Sequence, residues 1–564
     1  MKKEKKSDMY GKKFKNLCKL SQKCGFNLEK TQKAHDSLTF VHYSLDIVFA
    51  LVIFLVSLYT RFWRLSEPNQ VVFDEVHFGG FINKFLKGDY FFDIHPPLAK
   101  LIHASIAKAC DLTTDFGYTN IGDEYPEGYS YMCLRSADAL ISSFIAPIFY
   151  YTLRTIGISV PVSILTGLMM AFENATIVES RMIVTDSFLF FFVALTIFFD
   201  VHASKLKPRS KNWYFFLTLT GLSAGCAFSI KLTSGGLLIA LGILHIIRAI
   251  NKIEAGSMNI KRLFNDVKTR AIILLAMVLL ILLISWYFHF GLLPYKTEDS
   301  DSMSDKFKAG FVDTNTNSIP HSVGSSSFFS KVIELNVRMH SQNMRIGNQH
   351  PYGSVWYEWP FHTCTALRLW DTTVEQTEVG CSRSMYCIGN FIVWWFSAIG
   401  AIIGILFLIF KGIIILSSNI IQQEKIYQEY QKMDANGKMN HYLRIIYFYS
   451  RTNYFKHILN YFIDPLGFLV TGYLLSLLPF VFITRDTWLY HYIPPLIFAI
   501  LIFGVTLDII LRVFVPIKLI KISFLIILLS AVYFGWHFFR PLVYAITFDD
   551  PEFQKRFIFL SWRP

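Results

Sequence analysis

The sequence predicts an all-α integral membrane protein, a bundle of about eleven transmembrane helices joined by loops of very unequal length. Three observations carry that reading. The 564 residues are 53% hydrophobic and only 17% charged, with mean hydropathy +0.39, whereas soluble domains carry about a quarter charged residues. Apolar runs close to the ~20 residues that cross a bilayer recur along the whole chain. Lys and Arg collect in alternate loops, as cytosolic loops of a multi-span protein do.

The first 42 residues open with Met1-Lys2-Lys3-Glu4-Lys5-Lys6 and contain no apolar core, so 1–42 reads as a cytosolic Lys-rich tail and not as a cleavable signal peptide. Apolar runs follow at 43–62, 137–156, 160–176, 183–199, 214–229, 232–247, 271–290, 392–410, 465–483, 488–509 and 517–538. Counting from a cytosolic start, Arg154, Lys205 to Lys211, Lys252 to Arg270, Lys411 to Lys456 and Arg512 to Lys521 all fall in cytosolic loops, and each segment is basic. The polar stretch 422–449 in the longest of these reads as a solvated connector. The net charge of +13 is thereby placed beside an anionic leaflet and requires no nucleic acid. The chain divides into the tail 1–42, a membrane core 43–291 with a first non-cytosolic loop at 63–134, a second loop at 292–388, C-terminal membrane helices at 389–538 and a non-cytosolic tail at 539–564. Among the 8 cysteines, Cys364, Cys381 and Cys387 crowd the second loop, where one bridge is expected with the pair undetermined.

The chemistry collects on the non-cytosolic side. Asp74 and Glu75 follow an apolar stretch at the membrane face, in Val71-Val72-Phe73-Asp74-Glu75-Val76-His77-Phe78-Gly79-Gly80. In a low-dielectric cleft such a pair cannot easily hold both charges, so one carboxyl should keep a proton or recruit a cation. An acidic helix start is the plain alternative. His95 stands beside Asp93 and the Pro96-Pro97 bend, with Lys100 beyond it. Arg135, Glu173, Glu179, Arg181, Asp186 and Lys231 all lie at or within span ends on that same side. Internal ion pairing would explain any one of them. Three cations, Arg135, Arg181 and Lys231, converging on one face suit an anionic ligand such as a membrane-borne phosphate. The aromatic string from His350 through Trp359 reads either as an interfacial belt or as a platform for sugar rings. Tyr490 and His491 sit in the tight turn before the tenth run, within reach of the same cleft. The sequon at Asn174 lies too near the bilayer to accept a glycan.

In joint order these strings resemble the protein O-mannosyltransferases. The resemblance rests on Phe73 to Gly79, Phe91 to Leu98, Leu134-Arg135, Ser180-Arg181 through Asp186-Ser187, Gly221 to Lys231, Met303 to Phe307, His350 to Pro360, Gly389-Asn390 with Trp394-Trp395, and Tyr490 to Tyr492. It implies a GT-C membrane fold in the endoplasmic reticulum, with the N-terminus cytosolic and the C-terminus lumenal. The implied reaction is inverting transfer of mannose from dolichyl phosphate mannose to Ser/Thr hydroxyls of acceptor proteins. Asp74 is expected as the base with Glu75 tuning it, Arg135, Arg181 and Lys231 on the donor phosphate, and His95, His350, Trp359, Tyr490 and His491 around the substrates. No tightly bound cofactor or metal is required, although the acidic pair could hold a divalent cation weakly. A homodimer or heterodimer is compatible with the family. Three departures stand out: Ala99 replaces a usual Gly, Phe391 replaces a usual Pro, and residues 308–349 are far too few for the MIR domain that eukaryotic members carry there. The rivals are a GT-C transferase with another polyprenyl-phosphate sugar or acceptor, a non-catalytic partner subunit, and a transporter. The last would hold its charges near the bilayer midplane.

Overall fold

The computed structural model describes residues 43–254, 260–313, 324–345, 350–372, 381–417, 439–483, 485–559 and 561–562. The expected tail 1–42 and most of the connector 422–449 lie outside them. Among the described residues nine helical segments are long and apolar enough to cross a membrane. The remaining two of the eleven apolar runs form the helices Val160–Ala171, 12 residues, and Lys211–Phe228, 18 residues, so the count of eleven crossings does not follow from length and composition.

The helix Ile493–Phe514 is the centre of the bundle, with 94% of its apolar window buried. It packs against Phe391–Ser417, Met439–Leu477 and Val160–Ala171. By contrast the span ending at Leu292 buries only 17% of its window and turns mostly outward, as a lipid-facing helix does. Close approach is bought by small residues where Lys211–Phe228 meets Ile260–Leu292: a Cβ at Gly221 would stand 2.8 Å from Met277 and one at Gly225 2.9 Å from the Val278 backbone. Gly221 and Gly225 are four residues apart and share one face.

At one end of the bundle the two long loops and the C-terminal segment interlock. Two short helices, Glu75–Lys87 and Leu98–Ala109, build the first loop. The second contributes the helix Phe328–Asn343 and an antiparallel pair, Leu367–Asp371 with Ser384–Cys387. Trp370 donates from its indole to Gln70 at 2.8 Å, and Arg383 pairs with Glu67, tying loop to loop. Cys381–Ser382 pairs with Phe548–Asp549, and the Trp562 indole donates to the His362 carbonyl at 3.2 Å. Phe548, Asp549 and Trp562 therefore pack against the second loop.

The cysteine expectation is corrected. The disulfide joins Cys110 to Cys133 in the first loop, and Cys364, Cys381 and Cys387 are free thiols. The strand registers explain this, because Cys387 stands opposite Leu367 while Cys381 stands opposite Asp549.

Candidate active site

The adjacent carboxylates have opposite surroundings. Glu75 is fully buried, and Arg135 grips it with two bonds, Nε to Oε1 at 2.8 Å and Nη2 to Oε2 at 2.7 Å. The backbone N–H groups of Val72 and Ile183 and the Tyr125 hydroxyl also donate to it, at 2.8, 2.9 and 3.0 Å. Its acceptor capacity is taken up by the fold. Asp74, immediately before the helix, caps no N–H and pairs with no cation among the described residues. Phe73 at φ 43° makes the left-handed turn that separates the two side chains. Burial raises the Asp74 pKa to about 6; Lys231 and His77 oppose the rise, while Asp186 and Asp93 add to it.

Across from Asp74 lies a narrow cleft lined by Asp186, Lys231, Ser476, Tyr490 and His491. Lys231 donates to both oxygens of Asp186, at 2.8 and 2.7 Å, and stands 5.3 Å over the Tyr490 ring. Tyr490 stacks on His491 at 4.6 Å and meets Phe73 edge-on at 6.4 Å, which joins the cleft to the Asp74 turn. On its other flank Lys100 pairs with Asp93 and donates to the His95 carbonyl at 2.8 Å. Burial lowers the His95 pKa to about 3, so this imidazole is neutral at working pH.

The structure brings Asp74, Lys231, His95, Tyr490 and His491 together and places the other expected residues differently. Arg135 is 1% exposed; besides Glu75 it bonds the carbonyls of Pro68 and Gln70 at 2.8 and 2.9 Å, and it lies 5.4 and 5.1 Å from the rings of the stacked pair Tyr125 and Tyr131. Arg181, equally buried, donates to the carbonyls of Arg61, Trp63, Arg64 and Glu67 and covers the Tyr544 ring at 4.6 Å. Both guanidiniums bond groups of the fold, Arg135 a carboxylate and Arg181 the carbonyls of the chain leaving the first span. Trp359 is likewise no open platform, being fully buried with its indole donating to Ser354 at 2.8 Å. It supports His491 from behind, at 6.4 Å between rings. His350 is exposed, its backbone N–H bonded to Asp486 at 2.7 Å. It helps line a cavity of about 660 Å³ with Trp356, Tyr357, Glu358, Arg485 and Asp486. Sequence reasoning assigned no role to Asp93 or Asp186; the span-end setting of Asp186 and the place of Asp93 beside His95 were the signals that could have found them. Among the described residues no three His, Cys, Asp or Glu side chains are grouped so as to hold a metal.

Residues 51–293 match the family model described as dolichyl-phosphate-mannose-protein mannosyltransferase, and residues 328–562 match the C-terminal four-transmembrane region of protein O-mannosyltransferases. The chain is similar to dolichyl-phosphate-mannose–protein mannosyltransferase 1 of Candida albicans, 32% identical over 281 residues, which are 50% of this chain and 32% of that protein. Mannosyltransferase 4 of Schizosaccharomyces pombe is 36% identical over 196 residues, 34% of this chain and 25% of its own length. These alignments thus span about a third or less of the curated relatives. In fold the chain agrees with the Saccharomyces cerevisiae protein O-mannosyltransferase Pmt1-Pmt2 complex bound to the sugar donor, with TM-score 0.77, 20% identity and 94% of each chain covered.

Proposed function

The chain belongs to the protein O-mannosyltransferase family, with its GT-C membrane fold, and from that premise we propose that it moves mannose from dolichyl phosphate mannose to serine and threonine hydroxyls of proteins in the endoplasmic reticulum lumen. The observation that carries the proposal is the division of labour between Glu75, held by Arg135, and Asp74, which caps no N–H and holds no ion pair among the described residues.

Asp74 takes the proton of the acceptor hydroxyl as that oxygen attacks the anomeric carbon. The bond from that carbon to the phosphate oxygen breaks, and dolichyl phosphate leaves with the electron pair. Attack from the face opposite the leaving group inverts the centre and needs no covalent enzyme intermediate. A positioned base of this kind contributes roughly 10² to 10⁴ in rate. Lys231 lines the cleft, and its charge together with that of Arg485 supports a donor phosphate on the cleft side. Because these charges are fixed before reaction, they favour the developing phosphate charge more than the ground state. The neutral His95 and the stacked Tyr490 and His491 offer edges and faces to a sugar ring. The cavity beside His350 and Trp356 provides space for an acceptor segment.

The topology proposed with this function has residues 1–42 in the cytosol and 63–134, 292–388 and 539–564 in the lumen. Pairing with a second subunit is proposed as well, the solved structure of like fold being a two-subunit complex. The test is transfer by the purified full chain from a panel of polyprenyl-phosphate sugars to a Ser/Thr peptide. The proposal expects mannose from dolichyl phosphate mannose alone; transfer of another sugar would replace it with the related GT-C reading.

A further inference from the structure

We infer that His103 and Asp138 are a positioning pair for the cleft: their bond fixes how the helix Leu98–Ala109 sits on Tyr131–Ser143, and so how Lys100 with Asp93 stands relative to Arg135 with Glu75. The inference rests on the reading of the Asp74 cleft as the reacting site.

His103 Nε2 and Asp138 Oδ2 are 2.8 Å apart, and both side chains are fully buried. The remaining polar atom of each, Nδ1 of His103 and Oδ1 of Asp138, has no partner among the described residues. One bond offsets little of the cost of burying two such side chains, and a well-packed apolar pair of similar volume is often as stable or more so. What the bond adds is direction. Apolar contact is non-directional and lets two helices slide, whereas a hydrogen bond holds two particular atoms in register.

That register matters because of what the helices carry. His103 lies three residues past Lys100 and Asp138 three past Arg135, spacings that put each pair of residues on one face of its helix. Lys100 pairs with Asp93 and donates to the His95 carbonyl at 2.8 Å, while Arg135 grips Glu75 beside Asp74. The disulfide Cys110–Cys133 joins the end of the first helix to the first turn of the second. Residue numbers therefore rise along one helix as they fall along the other, and His103 with Asp138 is a second tie further in. One tie leaves the helices free to pivot; two do not. A third helix meets the same junction, since the His103 ring stands edge-on to Phe188 at 5.2 Å, just past the Asp186 that holds Lys231. At the head of Leu98–Ala109 the Leu98 N–H donates to the Ser229 carbonyl at 3.1 Å, beside Lys231, so a tilt of this helix is felt on both flanks of the cleft.

The test is the double variant His103→Leu/Asp138→Leu of the full chain in detergent, read by melting temperature, by transfer kinetics and by amide exchange at Leu98. It should melt at or above the wild-type temperature, turn over about 10²-fold more slowly with both KM values near wild type, and exchange the Leu98 amide faster. Wild-type turnover in the folded double variant would overturn the inference. So would a melting temperature that falls in step with turnover, because the pair would then hold the fold and not the cleft. If the double variant does not fold, His103→Gln and His103→Met decide: the two side chains are alike in shape, and only glutamine can donate to Asp138. Turnover per folded molecule should be kept in the first and lowered in the second; equal turnover in the two, kept or lost, overturns the inference. A wild-type chain that transfers no mannose contradicts the proposed function and leaves Leu98 exchange to decide the pair, unchanged exchange in the double variant overturning it.

Discussion

Asp74 and Glu75 show how one residue of sequence separates a working carboxylate from a structural one. Because the Asp74 pKa is raised to about 6 and a base must be unprotonated, kcat/KM should fall about tenfold per unit as pH drops below that value, and be flat just above it. A profile with its acid limb near the ordinary carboxylate range would assign the base to another group. Arg135 belongs to the same account from the other side. Removing one partner of a buried ion pair costs roughly 3–5 kcal/mol, so Arg135→Ala should lower thermal stability sharply and depress use of both substrates alike. A selective rise in donor KM at unchanged melting temperature would restore the phosphate role. The carboxyl pair was legible in the sequence, since adjacent acids at a membrane face are rare enough to notice. Which of the two is free was not, because Glu75 is claimed by an arginine 60 residues away and by an N–H 108 residues away. Nor were the partners of Arg135, Arg181 and Trp359 legible, since the carbonyls, the carboxylate and the serine hydroxyl they bond are brought in by the fold.

At the scale of elements, periodicity and length did most of the work, and every apolar run from 43–62 to 517–538 lies mostly in helix. The run 160–176 is divided because Glu173 accepts from the N–H groups of Ala175 and Thr176 and starts a second, six-residue helix. The small strands were not legible: their partners are the end of the chain and a segment beyond a long loop. The bridge was missed because Cys110 and Cys133 come together only when Leu98–Ala109 folds beside Tyr131–Ser143. The close helix pair at Gly221 and Gly225 can be tested directly. Gly225→Ile places side-chain atoms where the Val278 backbone lies 2.9 Å from a Cβ, and backbone cannot yield as a side chain can. A loss of about 1–3 kcal/mol or more is expected, read as a lower melting temperature in detergent.

For the whole molecule, alternation of basic loops predicts both long loops and the C-terminal segment on one side, and in the structure Phe548–Asp549 pairs with Cys381–Ser382 while Trp562 bonds His362. A glycosylation tag appended to the C-terminus should therefore be modified; a tag left bare and open to cytosolic protease would reverse the proposed orientation. The short second loop places the helix Phe328–Asn343 beside the His95 turn, with Asn343 donating to the Ile94 carbonyl at 3.0 Å, so the cleft is flanked by the chain's own loop. Composition, charge alternation and ordered motifs were sufficient for this much of the molecule, while the closure of the cleft depended on contacts between segments hundreds of residues apart. The central claim is that a free Asp74 drives mannose transfer, and the most direct measurement is turnover by purified wild type and Asp74→Asn with dolichyl phosphate mannose and a Ser/Thr peptide. Asparagine keeps the shape and removes the base, so turnover should fall by roughly 10² to 10⁴ at unchanged melting temperature; near wild-type turnover in the folded variant would contradict the account.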